Sequence, residues 1–80
     1  MIVKNKQGLH ARPAAFFVQL ANKFDSTISI IKDEQKINGK SIMGVLMLAA
    51  EQGSEILVIA EGEDAQEAID ALEEFVSRDE

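Results

Sequence analysis

The chain has 80 residues, 46% of them hydrophobic, 28% charged and 5% aromatic, a length that allows a single domain spanning 1–80 and leaves no room for a deep cleft between two. With no Cys and one His, disulfides, thiolate zinc, cysteine nucleophiles and multi-His metal sites are excluded, and neither metal nor cofactor is expected. A net charge of −6 argues against nucleic-acid binding, and with neither a roughly 20-residue apolar run nor a signal-peptide pattern the expectation is a cytoplasmic protein with no membrane insertion.

Met1 to Asn5, carrying Ile2 and Val3, reads as a short strand, and Lys6-Gln7-Gly8 as a loop. From Ala11 to Phe24 the apolar residues Ala14, Phe17, Val18, Ala21 and Phe24 recur at helical spacing. Pro13 fits only in the first turn of that helix, where its missing N–H has no intrahelical partner to lose. The helix therefore begins near His10 or Ala11, which puts the sole histidine at a helix N-terminus. TISIIK, residues 27–32, is β-branched and alternating, hence a strand; 33–35 is a polar turn and 36–38 the return strand of a hairpin. Ser41 caps a second helix running from Ile42 to about Glu51, with Gly53 placed to end it. EILVIAE, residues 55–61, is the clearest strand. Asp64 caps a third helix, with Glu67 completing an acidic capping box and an apolar stripe at Ala65, Ala68, Ile69, Leu72, Phe75 and Val76.

The order βαββαβα, with hairpin-joined strands and one-faced helices, predicts an α+β fold: an antiparallel sheet covered by helices on one side. Phe17, Val18, Ile30, Leu57, Ile59, Ile69 and Leu72 are assigned to the core. The acidic side chains Glu61, Glu63, Asp64, Glu67, Glu73, Glu74, Asp79 and Glu80 are read as solvated surface, with Asp64 helping at a helix start.

Chemistry concentrates at Gly8-Leu9-His10-Ala11-Arg12-Pro13-Ala14. A lone histidine more often simply packs or caps, but four features converge here. Imidazole titrates near neutrality and is a nucleophile when neutral. A helix N-terminus offers free N–H groups and partial positive charge to an anion. Arg12 can reach the same anion with a forked donor, and Gly8 permits close backbone approach. The first 40 residues also carry a net charge of +4 and the last 40 a charge of −10, so the basic half is the one that would face an anion or an acidic partner. The combination suits a phosphoryl group held transiently on imidazole. One Arg plus a helix dipole worth about 0.3–1 kcal/mol is weak stabilisation, which suits transfer better than storage.

Residues 8–14 resemble the phosphorylation motif of the HPr family, the histidine-containing phosphocarriers of the bacterial phosphoenolpyruvate:sugar phosphotransferase system. Asn38-Gly39-Lys40-Ser41-Ile42-Met43-Gly44 resembles that family's regulatory serine segment, and the likeness spans the chain. The resemblance implies an open-faced β-sandwich, a four-stranded antiparallel sheet with three helices on one face. It implies that enzyme I phosphorylates His10 on Nδ1, that Arg12 steadies the phosphate, and that enzyme IIA domains receive it. It further implies regulatory phosphorylation of Ser41 by HPr kinase/phosphorylase and, in some members, binding of catabolite control protein A. The alternative is a nitrogen-branch or purely regulatory paralogue acting through protein binding; the presence of His10 argues against the latter.

The second helix is apolar nearly all round, so part of it must face solvent or a partner. With the family likeness, Ala11, Phe16, Ile42, Met43, Leu46 and Met47 are assigned to a docking surface near His10, and the protein is expected to be a monomer. The sequence departs from the family at Ala11, where many relatives carry a hydroxyl residue, and at Gly44, basic in some. Gly39-Lys40-Ser41 imitates the end of a phosphate-binding P-loop, but position 34 is Glu where that motif needs Gly, so nucleotide binding is rejected.

Overall fold

The computed structural model of the chain describes residues 1–78; Asp79 and Glu80, read above as part of the acidic surface, lie outside the described residues. The elements in order are α1 (Ala11–Ala21), β1 (Thr27–Lys32), β2 (Gln35–Asn38), α2 (Ile42–Leu48), β3 (Leu57–Glu61) and α3 (Ala65–Val76). The sheet is antiparallel, with β1 in the centre and β2 and β3 at its sides. The α+β class and three helices agree with expectation; the sheet has three strands among the described residues rather than four.

The missing strand is Met1–Asn5. It lies antiparallel to residues 53–56 but forms only an isolated bridge, Ile2 to Glu55. Met1 and Ile56 exchange two backbone bonds, and Val3 bonds Ser54 and Gly53. Lys4 then donates to the Val76 carbonyl at the end of α3. The chain thus leaves the ladder after three residues, too early for a strand to propagate.

The β1–β2 hairpin closes through Asp33 (φ 50°) and Glu34 (φ 69°), with Lys32 paired to Gln35. Positive φ at both central residues is the type I′ turn, whose twist matches that of paired strands. The return strand therefore starts one residue before the expected Lys36.

Two helices stop earlier than their sequence pattern suggests. After Ala21, Lys23 and Phe24 donate to carbonyls three residues back, which tightens the chain into a turn, and the Asn22 side chain bonds the Val18 carbonyl. Helix α2 ends at Leu48 because Ala49 turns left-handed (φ 52°, ψ 41°) and buried Ala50 accepts a 2.7 Å bond from Leu9 N–H. A tertiary bond, rather than Gly53, terminates the helix.

The core lies between the sheet and the helices. Phe17, Ile30 and Leu72 are fully enclosed as expected, together with Val3, Leu9, Val45, Ile56 and Val76. Phe17 meets Phe75 edge to face at 6.4 Å, joining α1 to α3. Val18 and Ile69 are half-buried. The assignment of Leu57 and Ile59 is one residue out of phase. Ile30 pairs with Val58 and Ile28 with Ala60, so Val58 and Ala60 share the inner face. Leu57, 57% exposed, lies with Ile59 on the open face. Side chains alternate along a strand, so a shift of one exchanges the faces.

Candidate functional site

His10 stands immediately before α1 in extended conformation (φ −117°, ψ 157°), and its side chain makes no capping bond. The ring is half-exposed. Pro13 has no N–H to offer, and no backbone acceptor takes the Ala11 or Arg12 N–H among the described residues. The first turn holds no acidic side chain. Arg12 is exposed and has no ion-pair partner among the described residues. Among the described residues the fold thus engages neither the His10 ring, nor the Arg12 side chain, nor the Ala11 and Arg12 N–H groups.

The backbone that presents His10 is tightly held. Gly8 has φ +68°, and a Cβ there would lie 2.5 Å from the Ala50 carbonyl oxygen and 2.8 Å from Glu51 Cα. The close approach expected of Gly8 is thus to the segment after α2. Next to this clamp Leu9 is enclosed and its N–H is bonded to Ala50. Ala11 takes φ +44°, a left-handed conformation that costs a non-Gly residue about 1–2 kcal/mol. Nothing in the sequence signalled this strain.

Helices α1 and α2 are antiparallel. Leu9 joins Ala50 at one end, and Asn22 Nδ2 reaches the Lys40 carbonyl at the other. His10 is thereby next to the C-terminal end of α2, while Ser41 is at the far end. At 1.5 Å per residue α1 rises about 16 Å, so the two residues stand on the order of 15 Å apart. Ser41 is a genuine cap: its Oγ accepts from Gly44 N–H at 3.2 Å. It remains half-exposed.

The expected docking residues are at the surface. Phe16 is 52% exposed and Met43 and Met47 65% each, with Ile42 and Leu46 less so; Ala11 is exposed as well. Val45 and Leu48 supply the buried side of α2. The clefts beside Leu57, between Phe16 and Phe75, and beside Lys36 do not include His10, which is half-exposed.

Asp64 does not cap α3, contrary to the capping-box expectation. Its carboxylate instead accepts from the Asp25 and Ser26 N–H groups, each at 2.9 Å, and from the Ser26 hydroxyl. The Ser26 hydroxyl bond is the main reason its pKa is lowered, with the Asp25 N–H next. Gly62 stands against Ser26, where a Cβ would lie 2.6 Å from the hydroxyl. This clasp ties the start of α3 to the start of β1 and has no part in the His10 site.

No group of three or more His, Asp or Glu suited to a metal occurs among the described residues. No described helix is long and apolar enough to cross a membrane.

The sequence model of the family described as "PTS HPr component phosphorylation site" matches residues 1–78. The HPr-like protein Crh of Halalkalibacterium halodurans is 56% identical over 77 residues, covering 96% of this chain and 92% of that one. The crystal structure of phosphocarrier protein HPr from Bacillus anthracis superposes with a TM-score of 0.95 at 51% identity, over 96% of this chain and 92% of that one. Crh of Bacillus subtilis, whose crystal structure is described as a dimer with a swapping domain, gives a TM-score of 0.84 at 49% identity, over 99% and 91%. The matched span contains the His10 and Ser41 segments, and the chain belongs to the HPr family of phosphotransferase-system phosphocarriers.

Proposed function

We propose that the chain is a phosphocarrier of sugar uptake, accepting a phosphoryl group from phospho-enzyme I on His10 and delivering it to enzyme IIA domains. The observation that carries this reading is an imidazole uncommitted to the fold, next to unpaired N–H groups, free Arg12 and an exposed apolar helix. Nδ1 of neutral His10 attacks phosphorus as the bond to the donor's phosphoryl-bearing atom breaks, and that atom keeps the released electron pair. Arg12 and the first-turn N–H groups share the charge of the phosphate oxygens. Because the residue is half-exposed, a partner can complete the site, so one histidine can serve a donor and several acceptors. Ala11, Phe16, Ile42, Met43, Leu46 and Met47 provide the contact.

The test is phosphorylation by phosphoenolpyruvate and enzyme I, followed by phosphorus NMR, with His10→Ala in parallel. A single acid-labile phosphoimidazole signal, absent in the variant, is the expected result. No signal with either the sugar-branch or the nitrogen-branch enzyme I would overturn the carrier role, and relative rates with the two enzymes assign the branch.

The likeness to Crh supports a second, regulatory layer at Ser41, through HPr kinase/phosphorylase and catabolite control protein A. Phosphate on Ser41 would sit at the start of α2, favourably for the helix. It is about 15 Å from His10, beyond the roughly 8 Å screening length at physiological salt. Its effect must therefore be felt by a partner covering both ends of the patch, not by the imidazole directly. Ser41→Asp is expected to slow acceptance from phospho-enzyme I; an unchanged rate would remove this layer. A purely regulatory paralogue would bind its partner through Ser41 and fail the His10 test. Segment 1–9 bonds back onto its own chain, which favours a monomer, and sedimentation equilibrium would expose a swapped dimer.

A further inference from the structure

Two of the chain's three methionines, Met43 and Met47, stand one helical turn apart on α2. Each is 65% exposed, the largest value among the exposed large hydrophobic residues. Ile42 and Leu46 form the neighbouring, less exposed row, and the buried side of the helix is Val45 and Leu48. The thioethers are therefore open to small solutes and contribute nothing to the enclosed core; Met47 lies toward the end of α2 nearest His10 and Met43 one turn further along. Leucine would supply comparable apolar area without oxidisable sulfur.

We propose that Met43 and Met47 form a reversible oxidation site that turns off docking without touching the phosphorylation chemistry. The inference rests on the carrier reading and its docking patch. A peroxide is the oxidant. The sulfur lone pair attacks one peroxide oxygen, the O–O bond breaks, and the departing oxygen takes a proton, so hydrogen peroxide yields sulfoxide and water. Sulfur loses two electrons and the peroxide gains them. The sulfoxide is polar and is reduced back by methionine sulfoxide reductases. Burying it against a partner's apolar surface leaves a poorly paired acceptor, which weakens association about tenfold per site. His10 and Arg12 carry no sulfur, and α2 keeps its buried side, so the fold and the nucleophile are unaffected.

The experiment treats the full chain with dilute hydrogen peroxide and locates sulfoxide at Met43 and Met47 by peptide mass spectrometry. Phosphorylation of His10 is then followed from two donors: phospho-enzyme I at subsaturating concentration, and phosphoramidate, a small donor that requires no docking surface. The oxidised chain should lose on the order of a hundredfold in rate with phospho-enzyme I and nothing with phosphoramidate. Sulfoxide reductase should restore the rate. In M43L/M47L, which retains Met1, the treated-to-untreated ratio should be near one, whatever its absolute rate. Equal rates for oxidised and untreated chain with phospho-enzyme I would overturn the switch alone. So would an equal loss in M43L/M47L, or a matching loss with phosphoramidate. An untreated chain labelled by phosphoramidate but not by phospho-enzyme I would remove the carrier reading and the switch together.

Discussion

Helices α1 and α3 each start at an ionisable residue that does not cap its own helix, yet the two starts do opposite work. At α3 the Asp64 carboxylate is committed to Asp25 and Ser26 through three bonds that join sequence-distant segments. At α1 the His10 ring caps nothing, and the Arg12 side chain and the Ala11 and Arg12 N–H groups are unpaired among the described residues. Polar groups used by the fold stabilise it, whereas those left free on a rigid backbone remain available to a ligand. The sequence already set His10 apart from Asp64, read there as a helix cap; the bonding pattern shows the Asp64 carboxylate engaged elsewhere in the fold.

Exchanging the two residues should dissociate activity from stability most completely. His10→Ala should abolish phosphoryl acceptance while moving stability by less than about 0.5 kcal/mol, checked by chemical denaturation. Asp64→Asn should do the reverse, keeping transfer but lowering the melting temperature. The pH sign follows from the lowered pKa of Asp64. Its contribution is fully present above the ordinary Asp value of about 3.9 and is lost as pH falls toward the folded-state value. The difference in melting temperature between wild type and Asp64→Asn should therefore be large at pH 6 and shrink below pH about 4. A constant difference across that range would mean that the clasp does not depend on the charge.

Gly8→Val tests whether the two kinds of region are joined at the clamp beneath His10. Its Cβ would meet the Ala50 carbonyl at 2.5 Å on a backbone with φ +68°, so about 3 kcal/mol of stability should go. Transfer should fall with it, since the histidine loses its mount. Arg12→Ala should touch function only, slowing transfer about 10- to 100-fold for a charge-assisted hydrogen bond worth about 1.5–3 kcal/mol, with an unchanged denaturation midpoint. The smallest effect is expected at Ala49, left-handed at the end of α2. Ala49→Gly removes the Cβ penalty and should raise stability by about 0.5–1 kcal/mol, with transfer unaltered.

Much of the fold was legible because local physics dictated it. Pro13 bounded the start of α1, Ser41 capped α2, and the stripe ending at Val76 set α3. The misreadings have one character. Phase along EILVIAE was ambiguous because apolar residues occupy both alternating sets, and only pairing with Ile28 and Ile30 chose Val58 and Ala60 for the inner face. Asp64 followed by Glu67 looked like a capping box, but Ser26 and Asp25 offered the carboxylate better partners 38 and 39 residues away. Met1–Asn5 had strand composition but only three residues of partner.

The chain by itself determined which chemistry is available: a single imidazole, an arginine two residues on and a proline that forces a helix to begin there. It also determined the apolar excess of α2, because a helix apolar on every side cannot be wholly buried in so thin a protein. Tertiary structure decided what no local pattern encodes. It laid α1 antiparallel to α2, which set Met47 near His10 and Ser41 far from it, drove Ala11 into a strained conformation, and left His10 free while engaging Asp64. Those outcomes depend on bonds between segments distant in sequence, such as Leu9 to Ala50 and Ser26 to Asp64, whose geometry exists only once the core has closed.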